Sequence, residues 1–171
     1  MGYLKDKSVY LAGNIHTTEK NDYGKGWREI ITPLIASLDI KVINPCVEGF
    51  GDSKEGITYF RSLIKERKFE QLKKDFYRVI RKDLKAVDKC DFLICYHNPK
   101  MPTVGTVHEI VNATNEKKPV LILCDEQHID DLNPWLLTLI KPQWLFTSWD
   151  DMFIYLRKID NGDIETSHWW M

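Results

Sequence analysis

The chain has 171 residues, and its 24 Lys and Arg against 25 Asp and Glu give a net charge of -1 at pH 7. That balance argues against a nucleic-acid binder held by bulk positive charge, and no apolar run approaches the about 20 residues of a membrane span. The length predicts a single domain over residues 1–171 that buries a core of its own.

The N-terminus and the cysteines indicate where the chain resides. Residues 1–7 carry charge without a following apolar stretch, so no export signal is expected. The cysteines lack the paired spacing of a zinc site. They predict buried free thiols in a reducing cytoplasm, at Cys46, Cys90, Cys95 and Cys124.

Short apolar segments along the chain predict the strands of a sheet. They are Val9–Ala12, Ile40–Ile43, Phe92–Tyr96, Val120–Cys124 and, more weakly, Trp144–Phe146. The third and fourth are continuously apolar, which is typical of parallel strands buried on both faces.

Apolar residues at helical spacing predict helices between these strands. The helical segments are Trp27–Leu38, Phe69–Val87, Thr106–Asn115 and Trp149–Lys158. Strands that alternate with helices imply right-handed crossovers, so we expect an α/β fold. The expected architecture is a flavodoxin-like or Rossmann-like three-layer sandwich with a parallel sheet of about five strands.

In such a sheet, ligands bind beyond the carboxyl ends of the strands, where the strand order reverses. For the order 2-1-3-4-5, this point lies between the first and third strands. The loops there begin at Gly13-Asn14-Ile15 and at His97-Asn98-Pro99.

Two polar regions accompany these elements. Residues 48–60 contain three glycines and predict a long surface loop. From Lys54 to Lys89 there are twelve Lys and Arg against six Asp and Glu. This excess favours a solvated helix face, and the alternative is a patch that attracts a phosphorylated substrate.

Three side chains could carry chemistry, in a sequence without a phosphate-loop or dinucleotide motif. Asp83 continues the apolar stripe of its helix, where a carboxylate is costly unless it has a partner. It is either bonded to a nearby backbone amide at the rim of the helix or functional. Glu109 either forms a capping box with Thr106 or is a nucleophile at the positive end of a helix. Tyr10 lies inside the first strand, and its hydroxyl needs a partner such as a carboxylate.

The histidines offer a weaker alternative. His16, His97 and His108 could lie near the same end of the sheet, but their spacing gives no support to a metal site.

Several short motifs, in order, resemble the nucleoside 2-deoxyribosyltransferase family over about residues 8–124. They are Val9-Tyr10-Leu11-Ala12-Gly13-Asn14, Gly26-Trp27-Arg28, Asn44-Pro45, Arg81-Lys82-Asp83-Leu84, Cys90-Asp91-Phe92-Leu93-Ile94, Gly105-Thr106-Val107-His108-Glu109-Ile110 and Lys118-Pro119-Val120-Leu121. The resemblance implies that Glu109 is the catalytic glutamate, Asp83 its structural partner and Tyr10 the tyrosine that steadies the nucleophile. Candidate substrate-binding residues are Gly13, Asn14, Ile15, Trp27, Asn44, Thr103, Gly105 and Thr106.

The implied activity is cleavage of the N-glycosidic bond of a 2′-deoxynucleoside through a covalent deoxyribosyl-glutamate, with transfer of the sugar to another base. No cofactor or metal is needed, and a homo-oligomer is expected because neighbouring subunits often complete the pocket in this family. Many members carry an aspartate six residues before the nucleophile, where this chain has Thr103. That departure raises the alternative of an N-glycosidase acting on 2′-deoxynucleoside 5′-monophosphates.

Three questions remain open at this point. The donor to the leaving base is Asn14, His16 or His97 by position only. An NAD-cleaving enzyme and a non-catalytic nucleotide sensor are further alternatives. The tail Ser167–Met171 carries two tryptophans, which pack either on their own domain or at a subunit interface.

Overall fold

A parallel sheet forms the centre of the described chain. In the computed structural model, residues 2–15, 25–47, 54–101, 103–165 and 169 are described. The strands are β1 Ser8–Gly13, β2 Lys41–Ile43, β3 Phe92–Tyr96, β4 Val120–Leu123 and β5 Leu145–Phe146. All neighbours pair in parallel in the order β2-β1-β3-β4-β5. The predicted α/β fold is therefore confirmed, and the strand order is the one for which the ligand site lies between the first and third strands.

Helices connect the strands on both faces of the sheet. They are α1 Lys25–Ala36, α2 Lys54–Lys65, α3 Phe69–Lys89, α4 Val104–Asn115, α5 Pro134–Leu139 and α6 Trp149–Asn161. Two short 3-10 segments span Glu126–Asp131 and Pro142–Trp144. Among the described residues, no helix combines the length and apolar character that crossing a membrane requires.

The long loop expected over residues 48–60 is wrong in its second half. Residues 54–60 belong to α2, because Ile57, Phe60 and Leu63 recur at helical spacing and are buried. The glycine there, Gly56, is also buried inside the helix. Residues 48–53 lie outside the described part of the chain.

The core has two layers, one on each face of the sheet. Alternate residues of β1 divide between them, with Val9 and Leu11 in one layer and Tyr10 and Ala12 in the other. Helices α1 and α6 cover the first layer, and α4 and the end of α3 cover the second. Every residue of β4 is buried, as the continuous apolar run predicted.

The cysteines largely behave as predicted. All four thiols are free, and Cys90, Cys95 and Cys124 are buried, whereas Cys46 is only half-buried. Burial raises the pKa of Cys90 and of Cys124 to about 11. These buried thiols are therefore weak nucleophiles.

Candidate active site

A cavity of about 380 Å³ opens at the carboxyl end of β1, between α3 and α4. Its described lining comes from the β1 exit, the apolar face of α3 and the start of α4: Gly13, Asn14, Ile15, Phe76, Val79, Ile80, Asp83, Leu84, Thr103, Val104, Gly105, Thr106, His108 and Glu109. The position agrees with the ligand site predicted where the strand order reverses.

A hydrogen bond joins the tyrosine of β1 to the glutamate of α4. The Tyr10 hydroxyl donates to Oε1 of Glu109 over 2.8 Å. Tyr10 is 1% exposed and Glu109 is half-buried. Burial raises the pKa of Tyr10 well above its usual value, and the charges of Glu109 and Asp83 raise it further, while Arg28 opposes them. Tyr10 is therefore a neutral donor to the Glu109 carboxylate at physiological pH.

The capping box predicted for Thr106 and Glu109 is wrong. Helix α4 begins at Val104, its N-cap is Thr103, and the Thr103 side chain makes no capping hydrogen bond. Thr106 thus lies within the first turn and is buried, while Glu109 lies in the second turn. The helix dipole acts mainly within the first turn, so it favours the Glu109 charge less than predicted.

The apolar stripe of α3 faces this cavity more than it faces the core. Val87 is the only buried residue of α3, and Phe76 and Ile80 are half-buried where they line the cavity. Asp83 continues the stripe and also lines the cavity, and its charge helps to raise the pKa of Tyr10. An incompletely buried apolar face beside two carboxylates suits a ligand with an apolar ring and a reacting polar bond.

Glycine is required at the end of β1. Gly13 has φ +151°, and a Cβ there would lie 2.9 Å from both the Trp27 ring and the carbonyl oxygen of Tyr96. At Gly105, by contrast, a Cβ would meet nothing within 4 Å. Gly105 therefore borders open space in the cavity.

Six of the eight candidate substrate-binding residues come together with Glu109 and Asp83 at this cavity; these six are Gly13, Asn14, Ile15, Thr103, Gly105 and Thr106. Trp27 is not part of the described lining. Its ring lies in the opposite layer, stacked on Trp149 with centroids 5.6 Å apart. Asn44 is also outside the described lining, and its Oδ1 accepts from the backbone N–H of Cys46 over 2.9 Å. The side chains of Trp27 and Asn44 thus make contacts within the fold.

The two described histidines of this group line different cavities. His97 lines a second cavity of about 530 Å³ on the other side of α4, and His108 lines the first cavity. His97 is 5% exposed, and burial lowers its pKa. His16 lies outside the described residues. Within the described part of the chain, no three His, Cys, Asp or Glu side chains cluster as metal ligands.

Comparison with protein families identifies the family of the chain. The family model described as "Nucleoside 2-deoxyribosyltransferase" matches residues 9–134, more than half of the chain. The chain belongs to the nucleoside 2-deoxyribosyltransferase family. The resemblance seen in the motifs is thereby confirmed. No curated protein is significantly similar to this deoxyribosyltransferase-family chain.

Solved structures share the fold. A crystal structure of a conserved protein from Enterococcus faecalis V583 has a TM-score of 0.64 at 16% identity, covering 90% of this chain and 98% of the other. A 2-deoxyribosyltransferase from the psychrotolerant bacterium Bacillus psychrosaccharolyticus has a TM-score of 0.56 at 18% identity, covering 87% of this chain and 95% of the other. At these identities the likeness shows the α/β fold of this family member.

Sequence reasoning missed one residue that binds the end of β1 in this family member. Arg28 is fully buried, and its guanidinium donates to backbone carbonyl groups at the end of β1. Its only signal in the sequence is its place in the Gly26-Trp27-Arg28 motif, because an arginine on a surface-like helix pattern is normally expected to be exposed.

Proposed function

We propose that the protein is a nucleoside 2-deoxyribosyltransferase with Glu109 as its nucleophile. The observation that carries this proposal is the 2.8 Å hydrogen bond from Tyr10 to Glu109 at the cavity. A neutral phenol that donates to one carboxylate oxygen orients the other oxygen for attack. Family membership supports the same class of reaction.

The reaction proceeds in two displacements at C1′ of a 2′-deoxynucleoside. A carboxylate oxygen of Glu109 bonds to C1′ while the C1′–N bond breaks. The electron pair of the broken C1′–N bond leaves with the base. The departed base takes up a proton from water. A ring nitrogen of a second base then bonds to C1′ and loses its own proton to water, while the bond from C1′ to Glu109 breaks and releases the carboxylate. Positive charge develops at C1′ in both steps, and the Glu109 and Asp83 carboxylates stabilise it.

Asn14 is the candidate that supplies a hydrogen bond to the leaving base. It lines the cavity together with Glu109, whereas His97 lines the second cavity. An amide N–H group can stabilise the electron pair on the departing ring without transferring a proton.

The alternative is an N-glycosidase for 2′-deoxynucleoside 5′-monophosphates, in which water replaces the second base. Thr103 favours it, because a hydroxyl at the start of α4 lines the cavity and can donate to a phosphate. The described lining contains no lysine or arginine to balance a phosphate. The twelve basic residues from Lys54 to Lys89 are all exposed, which both a solvated helix face and a patch for a phosphorylated substrate require. The choice of the uncharged nucleoside therefore rests on the described lining alone.

One chromatographic experiment tests both reactions. The protein is incubated with each deoxynucleoside, or with its 5′-monophosphate, with and without a different free base. We expect a new nucleoside only when a base is added. Base release from the monophosphates alone would establish the hydrolase instead. Consumption of NAD would instead establish the NAD-cleaving enzyme. Stabilisation of the protein by nucleotides without any product would establish the sensor.

Replacing the nucleophile is the matching control. Glu109→Gln keeps the shape and the hydrogen bond to Tyr10 but removes the attacking charge. We expect turnover to fall by at least about a thousandfold while the melting temperature stays near that of the wild type. A Glu109→Gln enzyme with most of its activity would contradict the covalent mechanism.

The homo-oligomer expected from the family is part of this proposal. Val104 and Trp135 are 83% and 76% exposed at the rims of the two cavities, and Val107 between them is also exposed. Apolar side chains in such positions suit a subunit interface. Light scattering should show a mass that is a multiple of 20.1 kDa, and a monomer at all concentrations would contradict it.

A further inference from the structure

Arg28 is a buried charge that the proposed reaction does not use. It lies on α1, and its side chain is 0% exposed. Its Nε and Nη2 donate to the carbonyl oxygen of Leu11 over 3.2 and 3.1 Å. Nη2 also donates to the carbonyl of Gly13 over 3.0 Å, and Nη1 to that of Asn14 over 3.5 Å. The guanidinium therefore binds both the end of β1 and the chain that leaves it.

Aromatic rings hold the guanidinium in place. Its Cζ lies 4.3 Å from the centroid of Trp27, and Trp27 stacks on Trp149 at an interplanar angle of 13°. Burying a charged side chain is costly unless its donors are satisfied, and the fixed fork of a guanidinium satisfies several carbonyl groups at once. Arg28 thus makes the β1 exit rigid from the layer opposite the cavity.

Asn14 is the polar side chain that this support presents to the cavity. It lines the cavity, and its Oδ1 is buried without a hydrogen-bond partner among the described residues. A buried polar atom of this kind is normally satisfied by water or by a ligand. The Oδ1 of Asn14 is therefore available to accept a hydrogen bond from a hydroxyl or a ring N–H group of a bound substrate.

We propose that Arg28 is a positioning residue that acts through Asn14. It holds the β1 exit so that the Asn14 amide meets the substrate, although Arg28 is not among the described residues of the cavity lining. The identity of the substrate as a deoxynucleoside rests on the proposed function. The effect of Arg28 on the loop does not.

A double-mutant cycle tests the coupling. In the Glu109→Gln protein, calorimetry measures the Kd of 2′-deoxyadenosine, and of its 5′-monophosphate as a second probe. We expect Asn14→Ala and Arg28→Lys each to weaken binding about tenfold, the size of one lost hydrogen bond. The double variant should also lose about tenfold, because both changes remove the same contact, whereas independent residues would multiply to about a hundredfold. Multiplying losses, or an Arg28→Lys protein with unchanged Kd, would overturn the inference.

Hydrogen exchange gives a readout that needs neither binding nor turnover. Ile35→Val is the matched control, because Ile35 is a fully buried residue of the same helix and is not bonded to the β1 exit. The amides of residues 13–15 should exchange faster in Arg28→Lys than in Ile35→Val. Equal exchange overturns the inference whatever the activity. If Arg28→Lys does not fold, Arg28→Gln replaces it, since it keeps an NH2 donor without the charge.

The two proposals fail separately. If the cycle shows the expected coupling but the wild-type protein releases no base, Arg28 is a positioning residue and the transferase proposal is wrong. If the wild-type protein is an active transferase but Arg28→Lys leaves the Kd unchanged, the transferase proposal holds and the positioning role is wrong.

Discussion

The carboxylate at Glu109 depends on residues far away in sequence. Tyr10 reaches it from β1, and the charge of Asp83 on α3 helps to raise the pKa of Tyr10. Tyr10 gains this partner because a phenol buried among apolar side chains needs an acceptor. The same hydrogen bond fixes which Glu109 oxygen is occupied, so catalysis should be sensitive to a single hydroxyl.

Tyr10→Phe removes that hydroxyl and keeps the ring in the core. A hydrogen bond to a charged group contributes about 1.5–3 kcal/mol, so we expect kcat/KM to fall by about ten- to a hundredfold. Tyr59→Phe is the matched control, because the Tyr59 hydroxyl donates to Asp75 over 2.6 Å away from the cavity. Equal losses in both variants would mean that the Tyr10 contact has no special role.

The raised pKa of Tyr10 predicts a dependence of stability on pH. A tyrosine whose folded-state pKa lies above its unfolded value of about 10 keeps its proton more tightly in the folded state. The free energy of unfolding should therefore fall as the pH rises above about 10, and fall less steeply in Tyr10→Phe. Urea denaturation of both proteins at pH 8 and above pH 10 measures this difference, and parallel decreases would contradict it.

The end of β1, the start of α4 and one face of α3 build the cavity. The exit of β1 and the start of α4 face each other at the carboxyl edge of the sheet. Each contributes a glycine, but the two glycines have different physical reasons. Gly13 has a positive φ and crowded surroundings, whereas Gly105 is helical and borders open space.

Replacing each of these glycines with alanine distinguishes the two physical reasons. Gly13→Ala should lower the free energy of unfolding by about 1–3 kcal/mol, because the new methyl group meets Trp27 and a backbone oxygen at a strained φ. Gly105→Ala should leave stability unchanged or raise it by up to about 1 kcal/mol, since alanine favours the helix. Chemical denaturation measures both, and an equally destabilised Gly105→Ala would show that the space beside it is not open.

At the scale of the whole molecule, Trp169 of the C-terminal tail is part of the hydrophobic core. Trp169 is buried, packs on Phe92 with ring centroids 5.2 Å apart, and donates through Nε1 to the Tyr155 hydroxyl over 3.1 Å. Of the two interpretations of the tail, packing on its own domain therefore holds for Trp169. Residues 166–168, 170 and 171 lie outside the described chain.

Trp169→Ala should destabilise the domain by about 3–5 kcal/mol, as expected for removal of a large buried ring. Trp169→Phe keeps most of the buried area and loses one hydrogen bond, so its cost should be less than half as large. Thermal and urea unfolding measure both, and scattering checks the mass. An unchanged stability together with a smaller assembly would instead assign Trp169 to a subunit interface.

The sequence by itself determined the five strands and the helices α1, α3, α4 and α6, but not α2 or α5. Continuous apolar strands such as Phe92–Tyr96, separated by amphipathic helices, allow few arrangements other than a parallel sheet. Local pattern also singled out Asp83 and Glu109, because a carboxylate on an apolar stripe or in a conspicuous motif stands out. It misjudged residues 54–60, where glycine and polar residues obscured a buried helical face.

Only the tertiary structure decided what these residues contact. The bond from Tyr10 to Glu109 spans 99 positions, and no local spacing encodes such a contact. The same holds for Arg28, whose burial depends on carbonyl groups of another element. It also holds for Trp27, which the family resemblance suggested as substrate-binding, and for His97, which its position after the third strand suggested. Periodicity reports which face of an element is apolar, whereas hydrogen bonds between elements depend on how those faces meet in three dimensions.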